Sequence, residues 1–245
     1  MSDGIPFSGD ARLRWIELPG EGAPVLFLHG LGCHGAASWA DAAIRLGRRA
    51  VILDMPGHGR SDAPAGFGYT LPELADAVAA AIDGIGGPLD VVGHSLGGSV
   101  TVALAHRHPD LVHRAVLVEP AIHIYPSAPG DIASTPEDTL ASGGWRELLS
   151  REVPWRRAEV KLTDPVALVR CARALGDEHA ARLHEQLSTM PVPTTLVRGD
   201  LREYAALHEI TGGGVRDVRV TNAQHFVMND QPEAFAEIVR EALAG

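Results

Sequence analysis

The stretch LDVVGHSLGG at residues 89–98 carries the strongest structural signal in this sequence. Its opening apolar run leads into the pattern G-x-S-x-G, centred on Ser95, and no proline follows until Pro109. A strand, a tight turn and a helix in this order present the central serine at the end of a sheet, because the flanking glycines leave the turn free of side chains. We therefore expect Ser95 at a strand-to-helix turn, with the amino end of the helix directed at its hydroxyl group.

Further apolar runs predict a sheet around this stretch. Segments that are apolar on both faces suit a parallel sheet covered by helices on both sides, and they occur at residues 25–28, 50–53, 115–118 and 194–197. Residues 12–18 alternate in part, as an antiparallel edge strand does, and Arg216–Val220 alternates as a candidate last strand. Helical signals fill the intervals between these runs. We therefore expect an α/β fold with a mostly parallel central sheet flanked by helices.

The intervals also carry helix boundaries and suggest an insertion. Thr70 and Glu73 form a capping box, and Gly84 is expected to end the helix that starts there. Between residues 123 and 190 no strand signal is present, which predicts a small helical cap inserted between strands six and seven. Insertions at the carboxyl ends of strands tend to cover binding sites. The expected division is a core domain of residues 1–122 and 191–245 and a cap of residues 123–190.

Composition excludes several classes of protein. Of 245 residues 45% are hydrophobic, which suits a globular chain and excludes wholesale disorder. The net charge of -10 repels phosphate backbones, so we expect no nucleic-acid partner. No run approaches 18 apolar residues and no apolar leader is present, so we expect no membrane partner and a cytoplasmic location. Cys33 and Cys171 cannot build a thiolate metal site, and we expect no metal and no cofactor. A small-molecule substrate is the expected partner, and the oligomeric state stays open.

A serine hydroxyl is a weak nucleophile unless a base accepts its proton. His225 follows the candidate last strand and precedes the final helix, which places it at the same end of the sheet as Ser95. His94 is adjacent to Ser95 and is expected to point elsewhere, into the surroundings of the site. His106 and His108 resemble a metal-binding pair, but no third ligand has a fitting spacing. His225 is therefore the expected base.

An acyl-transfer site also needs two backbone N–H groups directed at the oxyanion that forms during the reaction. Leu96, directly after the serine, supplies one of them. The segment His29-Gly30-Leu31-Gly32 follows an early strand and predicts Leu31 as the second donor. Gly30 and Gly32 allow the backbone to approach the serine closely, so the side chain at Leu31 is immaterial.

Together these pieces resemble the α/β-hydrolase superfamily, of the capped esterase or lipase-like kind. They run in the order of that family: residues 29–32 with Trp39 behind them, Asp54 to Ser61 as a turn after a strand, the serine motif, and His225-Phe226 ahead of Gln231-Pro232-Glu233. The resemblance covers residue 25 to the carboxyl terminus, apart from the insertion. In the turn from Asp54 to Ser61, which follows the apolar run at residues 50–53, Asp54 and Arg60 are expected to bond to nearby backbone or to each other.

The resemblance implies a carboxylate that orients the base, and two positions are open for it. In most of the family this acid follows the strand after the cap, about three residues beyond a glycine, where this chain has Arg202. Asp200 lies one residue after that glycine. In other branches the acid ends the strand before the cap, where this chain has Glu119. We expect Glu119, with Asp200 as the alternative acid.

The resemblance further implies covalent hydrolysis of an ester, thioester or lactone through an acyl-enzyme on Ser95. Relatives that use aspartate as the nucleophile, the haloalkane dehalogenases and epoxide hydrolases, are excluded by the serine. The expected pocket includes Gly30, His94, Trp145 and Trp155. A non-hydrolytic biosynthetic enzyme and a receptor-like binding protein of the same fold are the alternatives. The sequence does not separate ester cleavage from thioester, lactone or carbon–carbon bond cleavage.

Overall fold

A single sheet forms the centre of the protein. The computed structural model describes residues 4–121, 132–152, 154–201 and 214–244. Its strands are β1 Ile5–Ser8, β2 Ala11–Leu18, β3 Glu21–Leu28, β4 Arg48–Asp54, β5 Leu89–His94, β6 Val112–Val118, β7 Thr194–Gly199 and β8 Arg216–Val220. Within the described ranges these eight strands pair in the order β1-β2-β4-β3-β5-β6-β7-β8. The predicted α/β fold is confirmed.

The strand directions also follow the prediction, with one difference at the edge. All neighbours from β4 to β8 in the sheet order are parallel, and β2 pairs antiparallel with β4. The predicted strand at residues 12–18 is not the edge, however, because β1 pairs antiparallel outside it. The short β1 carries Pro6, which an edge strand tolerates since its N–H is not needed in the ladder.

Helices cover both faces of the sheet. They are α1 Gly35–Leu46, α2 Leu71–Ile85, α3 Leu96–Arg107, α4 Glu137–Thr139, α5 Trp145–Arg151, α6 Pro154–Val160, α7 Pro165–Ala174, α8 Asp177–Ser188, α9 Val227–Asp230 and α10 Pro232–Leu243, with a 3₁₀ turn at Pro109–Leu111 and a π turn at Leu140–Gly144. On the face of α1 and α10, the buried Trp39 packs between Phe27 and Phe235. On the other face, buried apolar side chains of α2 and α3 pack against the sheet and form a second hydrophobic cluster. Each fully buried large apolar side chain there contributes about 1.5–3 kcal/mol.

Helix α2 shows how local signals set its boundaries. The Thr70 side chain accepts a hydrogen bond from the N–H of Glu73, whose carboxylate accepts from the N–H of Thr70, as the capping box predicts. The helix ends at Gly86, with a φ of 96°, and not at Gly84 as predicted. Gly84 lies within the helix where a Cβ would come within 1.9 Å of Ile5 Cδ1. This glycine therefore allows β1 to pack on the helix and does not end it.

Helices and the turns between them make up the described chain between β6 and β7, apart from an isolated bridge from Thr163 to His58. We call residues 132–152 and 154–190 the helical insertion. The predicted cap began at residue 123, and its first part lies outside the described residues. The insertion has a small apolar core that includes Leu148, Val160 and Leu168, and Leu31, in the loop after β3, packs against it. In the described part of the chain, no helix has the length and apolar character needed to cross a membrane.

Candidate active site

The register of the parallel strands brings several loops together at one edge of the sheet. Leu28 at the end of β3 lies opposite Gly93 of β5, His94 lies opposite Val118 of β6, and Val118 lies opposite Val197 of β7. The residues that follow these strands therefore begin at the same level. Leu31, Ser95 and Glu119, which the sequence predicts as site residues, follow β3, β5 and β6 at this edge.

Ser95 occupies the predicted strand-to-helix turn. Its backbone has a φ of 52°, unusual for a residue with a side chain, and it directly precedes α3. A Cβ on Gly93 would lie 2.4 Å from the carbonyl oxygen of Gly97, and a Cβ on Gly97 would lie 2.4 Å from that of Leu28. Within residues 89–105 only Ser95 is not fully buried. The turn thus raises this one residue toward solvent, at a strain cost of about 1–3 kcal/mol.

His225 lies between β8 and α9, and a carboxylate lies next to its ring. Its Nδ1 atom is 3.7 Å from Oε2 of Glu119, whose side chain is 1% exposed. The other carboxylate oxygen of Glu119 accepts a hydrogen bond of 2.8 Å from the N–H of Gly199. Glu119 itself has a φ of 46°. This backbone conformation and the bond from β7 hold the buried carboxylate beside the imidazole.

Asp200, the alternative acid, has a different environment. Its residue is exposed, and its Oδ1 accepts a hydrogen bond of 2.7 Å from the N–H of Asn222. Asn222 has a φ of 58° in the turn after β8. Asp200 therefore stabilises that turn, whereas Glu119 is the carboxylate found at 3.7 Å from the ring of His225.

His94 lies beneath the site and is 1% exposed. The bond from its Nε2 atom to the carbonyl oxygen of His225 is 2.9 Å long. Its ring also contacts those of His225, Phe226 and Trp39. The sequence predicted His94 as a pocket residue, and the structure shows its ring in contact with Trp39 and with the loop that carries His225. No sequence signal indicated this support, since the bond spans 131 residues.

The segment of residues 29–32 lies against Ser95, and we call it the oxyanion loop after the role that the sequence predicts for it. A Cβ on Gly30 would come within 3.4 Å of Ser95 Cβ and 3.0 Å of His94 Nδ1. The carbonyl oxygen of His29 accepts a bond of 3.1 Å from the N–H of Gly97 in the first turn of α3. A side chain at position 30 would need His94 or Ser95 to shift by a few tenths of an ångström, so glycine favours this close approach of the loop to the serine.

Two buried imidazoles hold the oxyanion loop from below. Nδ1 of His29 donates to the carbonyl oxygen of Gly30, and its Nε2 accepts from the N–H of Met55. Nδ1 of His58 donates to the carbonyl oxygen of Pro56, and its Nε2 accepts from the N–H of Gly32. Burial lowers the pKa of His29 to about 4 and that of His58 to about 3. Both rings are therefore neutral at pH 7, which is the form these bonds require. The sequence did not indicate that His58 binds the oxyanion loop.

The turn from Asp54 to Ser61 is a structural support, as predicted. Asp54 is 4% exposed. One of its carboxylate oxygens accepts from the N–H of Gly35 at the start of α1, and the other accepts from the N–H of Arg60. A Cβ on Gly59 would lie 2.4 Å from the carboxyl carbon of Asp54. The buried carboxylate thereby joins the turn to the beginning of α1.

The two predicted pocket tryptophans occupy different places. The residue Trp155, at the start of α6, is 50% exposed and its ring contacts Phe226 edge-on at 5.3 Å between centroids. Phe226 directly follows His225, so Trp155 lies next to the site. Trp145 is partly buried against the apolar core of the helical insertion.

This arrangement matches a known family. A model of the alpha/beta hydrolase family matches residues 25–238. The chain belongs to the alpha/beta hydrolase family. The match begins within β3. The antiparallel strands β1 and β2 therefore precede the matched part of the chain.

Individual members of the alpha/beta hydrolase family resemble the chain to different extents. Esterase Rv0045c of Mycobacterium tuberculosis is 32% identical over 268 aligned positions, which cover 95% of this chain and 86% of that protein. Lipase LipV of the same organism is 41% identical over 106 positions, covering 42% of this chain and 40% of that protein. The solved esterase EaEST from Exiguobacterium antarcticum has a TM-score of 0.81 at 21% identity, with both chains fully covered. This structural likeness shows the shared fold.

Proposed function

We propose that the protein is a serine hydrolase that cleaves an ester bond of a small-molecule substrate through an acyl-enzyme on Ser95. The observation that carries the proposal is the buried Glu119 carboxylate beside His225, at the sheet edge where the turn presents Ser95. The similarity to a mycobacterial esterase over 95% of the chain supports an ester-acting hydrolase. Thioesters and lactones fit the same chemistry, because each presents an acyl carbon with a leaving group.

In the first half of the reaction, Ser95 Oγ attacks the acyl carbon while the imidazole of His225 accepts the hydroxyl proton. The bond from acyl carbon to leaving group then breaks, and His225 returns the proton to the leaving oxygen. A water molecule next loses a proton to His225 and attacks the acyl-enzyme. The acid product leaves and Ser95 regains its proton.

Glu119 has an orienting and electrostatic role in this mechanism. With a carboxylate at Nδ1, the ring carries its proton on that nitrogen and keeps Nε2 as the base. The buried negative charge also stabilises the imidazolium that forms when Ser95 is deprotonated. The fixed bond from Gly199 to the other carboxylate oxygen prevents the side chain from turning away.

The N–H groups of Leu31 and Leu96 are the proposed oxyanion donors. Leu96 begins α3, whose amino end adds a partial positive charge next to Ser95. Leu31 belongs to the oxyanion loop, which Gly30 brings against the serine. Donors that are already in place cost no reorganisation during the reaction, and each is worth about 10²–10³ in kcat.

The surroundings of the site favour substrates with an apolar part. The exposed ring of Trp155 and the neighbouring Phe226 form an aromatic surface beside His225. Aromatic faces of this kind bind acyl chains and rings by excluding water from both surfaces. We expect this surface to contact the part of the substrate that distinguishes one ester from another.

The test is turnover of a panel of p-nitrophenyl esters from acetate to dodecanoate, together with labelling by a fluorophosphonate. The wild-type protein should hydrolyse at least one ester and gain the mass of one phosphonyl group. Ser95→Ala should lose both properties, with kcat lower by about 10⁴- to 10⁶-fold. Ser150→Ala is the control, since the hydroxyl of Ser150 bonds only its own helix at Glu147 in α5. A folded wild-type protein that neither labels nor turns over would favour the receptor-like or biosynthetic alternative.

A further inference from the structure

The peptide groups of the oxyanion loop are fixed one by one through their polar atoms. The carbonyl oxygen of Gly30 accepts two bonds, at 2.9 Å from Nδ1 of His29 and at 3.2 Å from the N–H of Cys33. A trans peptide is planar, with its N–H directed opposite to its C=O. Fixing this carbonyl therefore fixes the direction of the N–H of Leu31, the proposed oxyanion donor.

The next peptide group, between Leu31 and Gly32, is held at both ends. The N–H of Gly32 donates to Nε2 of His58 at 3.3 Å. The carbonyl oxygen of Leu31 accepts from Nη2 of Arg156 at 3.1 Å. The two peptide groups meet at the Cα of Leu31, so a displacement of the second group is transmitted to the donor N–H through that atom.

Arg156 comes from a different part of the fold than the other residues that bind this loop. His29, Cys33 and His58 all belong to the core domain, whereas Arg156 lies on α6 of the helical insertion. Its second guanidinium nitrogen, Nη1, donates to Sγ of Cys33 at 3.0 Å. One planar guanidinium group therefore reaches across the oxyanion loop and contacts residues on both sides of Gly32, a geometry that a fork of donors permits.

The surroundings of Arg156 keep the guanidinium in place. Its side chain is 16% exposed, and its Nε lies 3.5 Å from a carboxylate oxygen of Glu152. A Cβ on Gly32 would come within 3.3 Å of Arg156 Nη2 and 3.1 Å of Val160 Cγ2. Helix α6 thus lies directly on the oxyanion loop, with no space for a side chain between them.

We propose that Arg156 is a positioning residue that joins the helical insertion to the oxyanion loop and, through the Leu31–Gly32 peptide group, keeps the Leu31 N–H in place. This inference rests on the proposed function, because it assigns a role within the same site. When α6 is docked, the guanidinium completes the set of bonds around the Leu31 peptide groups. When the contact is lost, the Leu31–Gly32 peptide group keeps only the anchor at His58. The oxyanion donor is then less well ordered, while the serine and the base are unchanged.

The test compares Arg156→Gln with Arg156→Lys and with the control Arg157→Gln. Arg157 lies on the same helix, and among the described residues its guanidinium bonds to carbonyl oxygens of the insertion, at Ser150 and Glu152. With p-nitrophenyl acetate as substrate, Arg156→Gln should lower kcat by about tenfold to a hundredfold with little change in KM, as expected when a catalytic group is misplaced. Arg156→Lys should recover part of this loss, since an ammonium group can still donate to Leu31. Arg157→Gln should keep wild-type kcat.

A second measurement reports the contact without relying on catalysis. Cys33 is 1% exposed beneath Arg156, and Cys171 is fully buried in the core. In Arg156→Gln the thiol of Cys33 should react faster with Ellman's reagent, whereas Arg157→Gln should react as the wild-type protein does. Cys33→Ser in the Arg156→Gln background identifies which thiol responds.

The outcomes separate this inference from the proposed function. A wild-type protein without esterase activity contradicts the proposed function, and the thiol measurement then decides whether Arg156 holds the loop. An active wild-type protein whose Arg156→Gln variant keeps both kcat and thiol reactivity overturns the inference alone. If Arg156→Gln does not fold, Arg156→Met, which also lacks the donors to Leu31 and Cys33, takes its place, and equal kcat and thiol reactivity for Arg156→Met and the wild-type protein overturn the inference.

Discussion

His94 lies directly beneath His225 and bonds to its backbone. The Nε2–H group of His94 donates to the carbonyl oxygen of His225 at 2.9 Å, and the two ring centroids are 4.6 Å apart. His94 also packs edge-on against the fully buried Trp39. Because His94 precedes Ser95 in the chain, the segment that presents the hydroxyl group also supports the proposed base.

Removing this support should impair turnover more than binding. His94→Phe keeps an aromatic ring in the same space but cannot donate to the carbonyl oxygen of His225. We expect kcat to fall by about tenfold or more with little change in KM, because small displacements of a base are costly. The control is His106→Phe. His106 lies near the carboxyl end of α3, far from Ser95 in that helix, and its Nε2 makes a comparable bond to the carbonyl oxygen of Gln186. Equal kcat values for the two variants would show that the bond has no catalytic role.

The carboxylate beside His225 should be essential, and the alternative acid should not. Glu119→Gln keeps an oxygen for the N–H of Gly199 but removes the negative charge, and should lower kcat by about 10³- to 10⁴-fold. Asp200→Asn keeps the acceptor for the N–H of Asn222 and should retain nearly full activity. Steady-state kinetics at pH 7.5 with one p-nitrophenyl ester is sufficient. The reverse result, with only Asp200→Asn inactive, would reject the arrangement proposed here.

The buried imidazoles should make the fold sensitive to acid. In the folded protein the pKa of His29 is about 4 and that of His58 is about 3, whereas unfolded histidine titrates near 6.5. Below pH 6.5 the unfolded chain binds protons that the folded protein does not bind. Stability is therefore complete above this pH and is lost as the pH falls, by up to about 1.4 kcal/mol per pH unit for each ring.

Urea unfolding at a series of pH values between 7.5 and 5 measures this dependence. His58→Gln keeps an oxygen that can accept from the N–H of Gly32 but removes one titrating group, so the slope of stability against pH should decrease. Ser150→Ala, which removes no titrating group, serves as the comparison and should leave the slope unchanged. Carboxylates such as Glu137 and Asp62 ordinarily titrate below this range, and their pKa values are lowered further by arginine partners. A free energy of unfolding that is constant over the range would contradict the assignment.

Much of the fold could be predicted from the sequence because its signals are local. A parallel strand buried on both faces is a continuous apolar run, and the serine turn and Glu119 directly follow such runs. The capping box of α2 and the alternating pattern of β8 ahead of His225 are local signals as well. Strand β1 was missed since it has only 4 residues and includes Pro6. The extension of α2 beyond Gly84 was missed because the reason for that glycine is a contact with Ile5, far from it in sequence.

The supports of the site could not be predicted, because they depend on long-range contacts. The bond from Gly32 to His58 spans 26 residues, and the bond from Arg156 to Leu31 spans 125. Arg156 belongs to no motif, and the motif from Asp54 to Ser61, which contains His58, does not show which loop the His58 ring reaches. Periodicity places residues on the faces of helices and strands but does not place one loop on another. The choice between Glu119 and Asp200 was open for the same reason.

The serine turn should tolerate no side chain at Gly97. A Cβ there would lie 2.4 Å from the carbonyl oxygen of Leu28 and 2.7 Å from that of His29, and both are backbone atoms that cannot rotate away. Gly97→Ala must therefore move α3 away from β3, which disturbs the core packed beneath the helix. We expect a loss of about 2 kcal/mol or more in the free energy of unfolding, together with a loss of esterase activity. Gly66→Ala is the matched control, since a Cβ at Gly66 meets nothing within 4 Å. Urea titration of the two variants gives the comparison, and a Gly97→Ala protein as stable and as active as Gly66→Ala would show that the turn is looser than described.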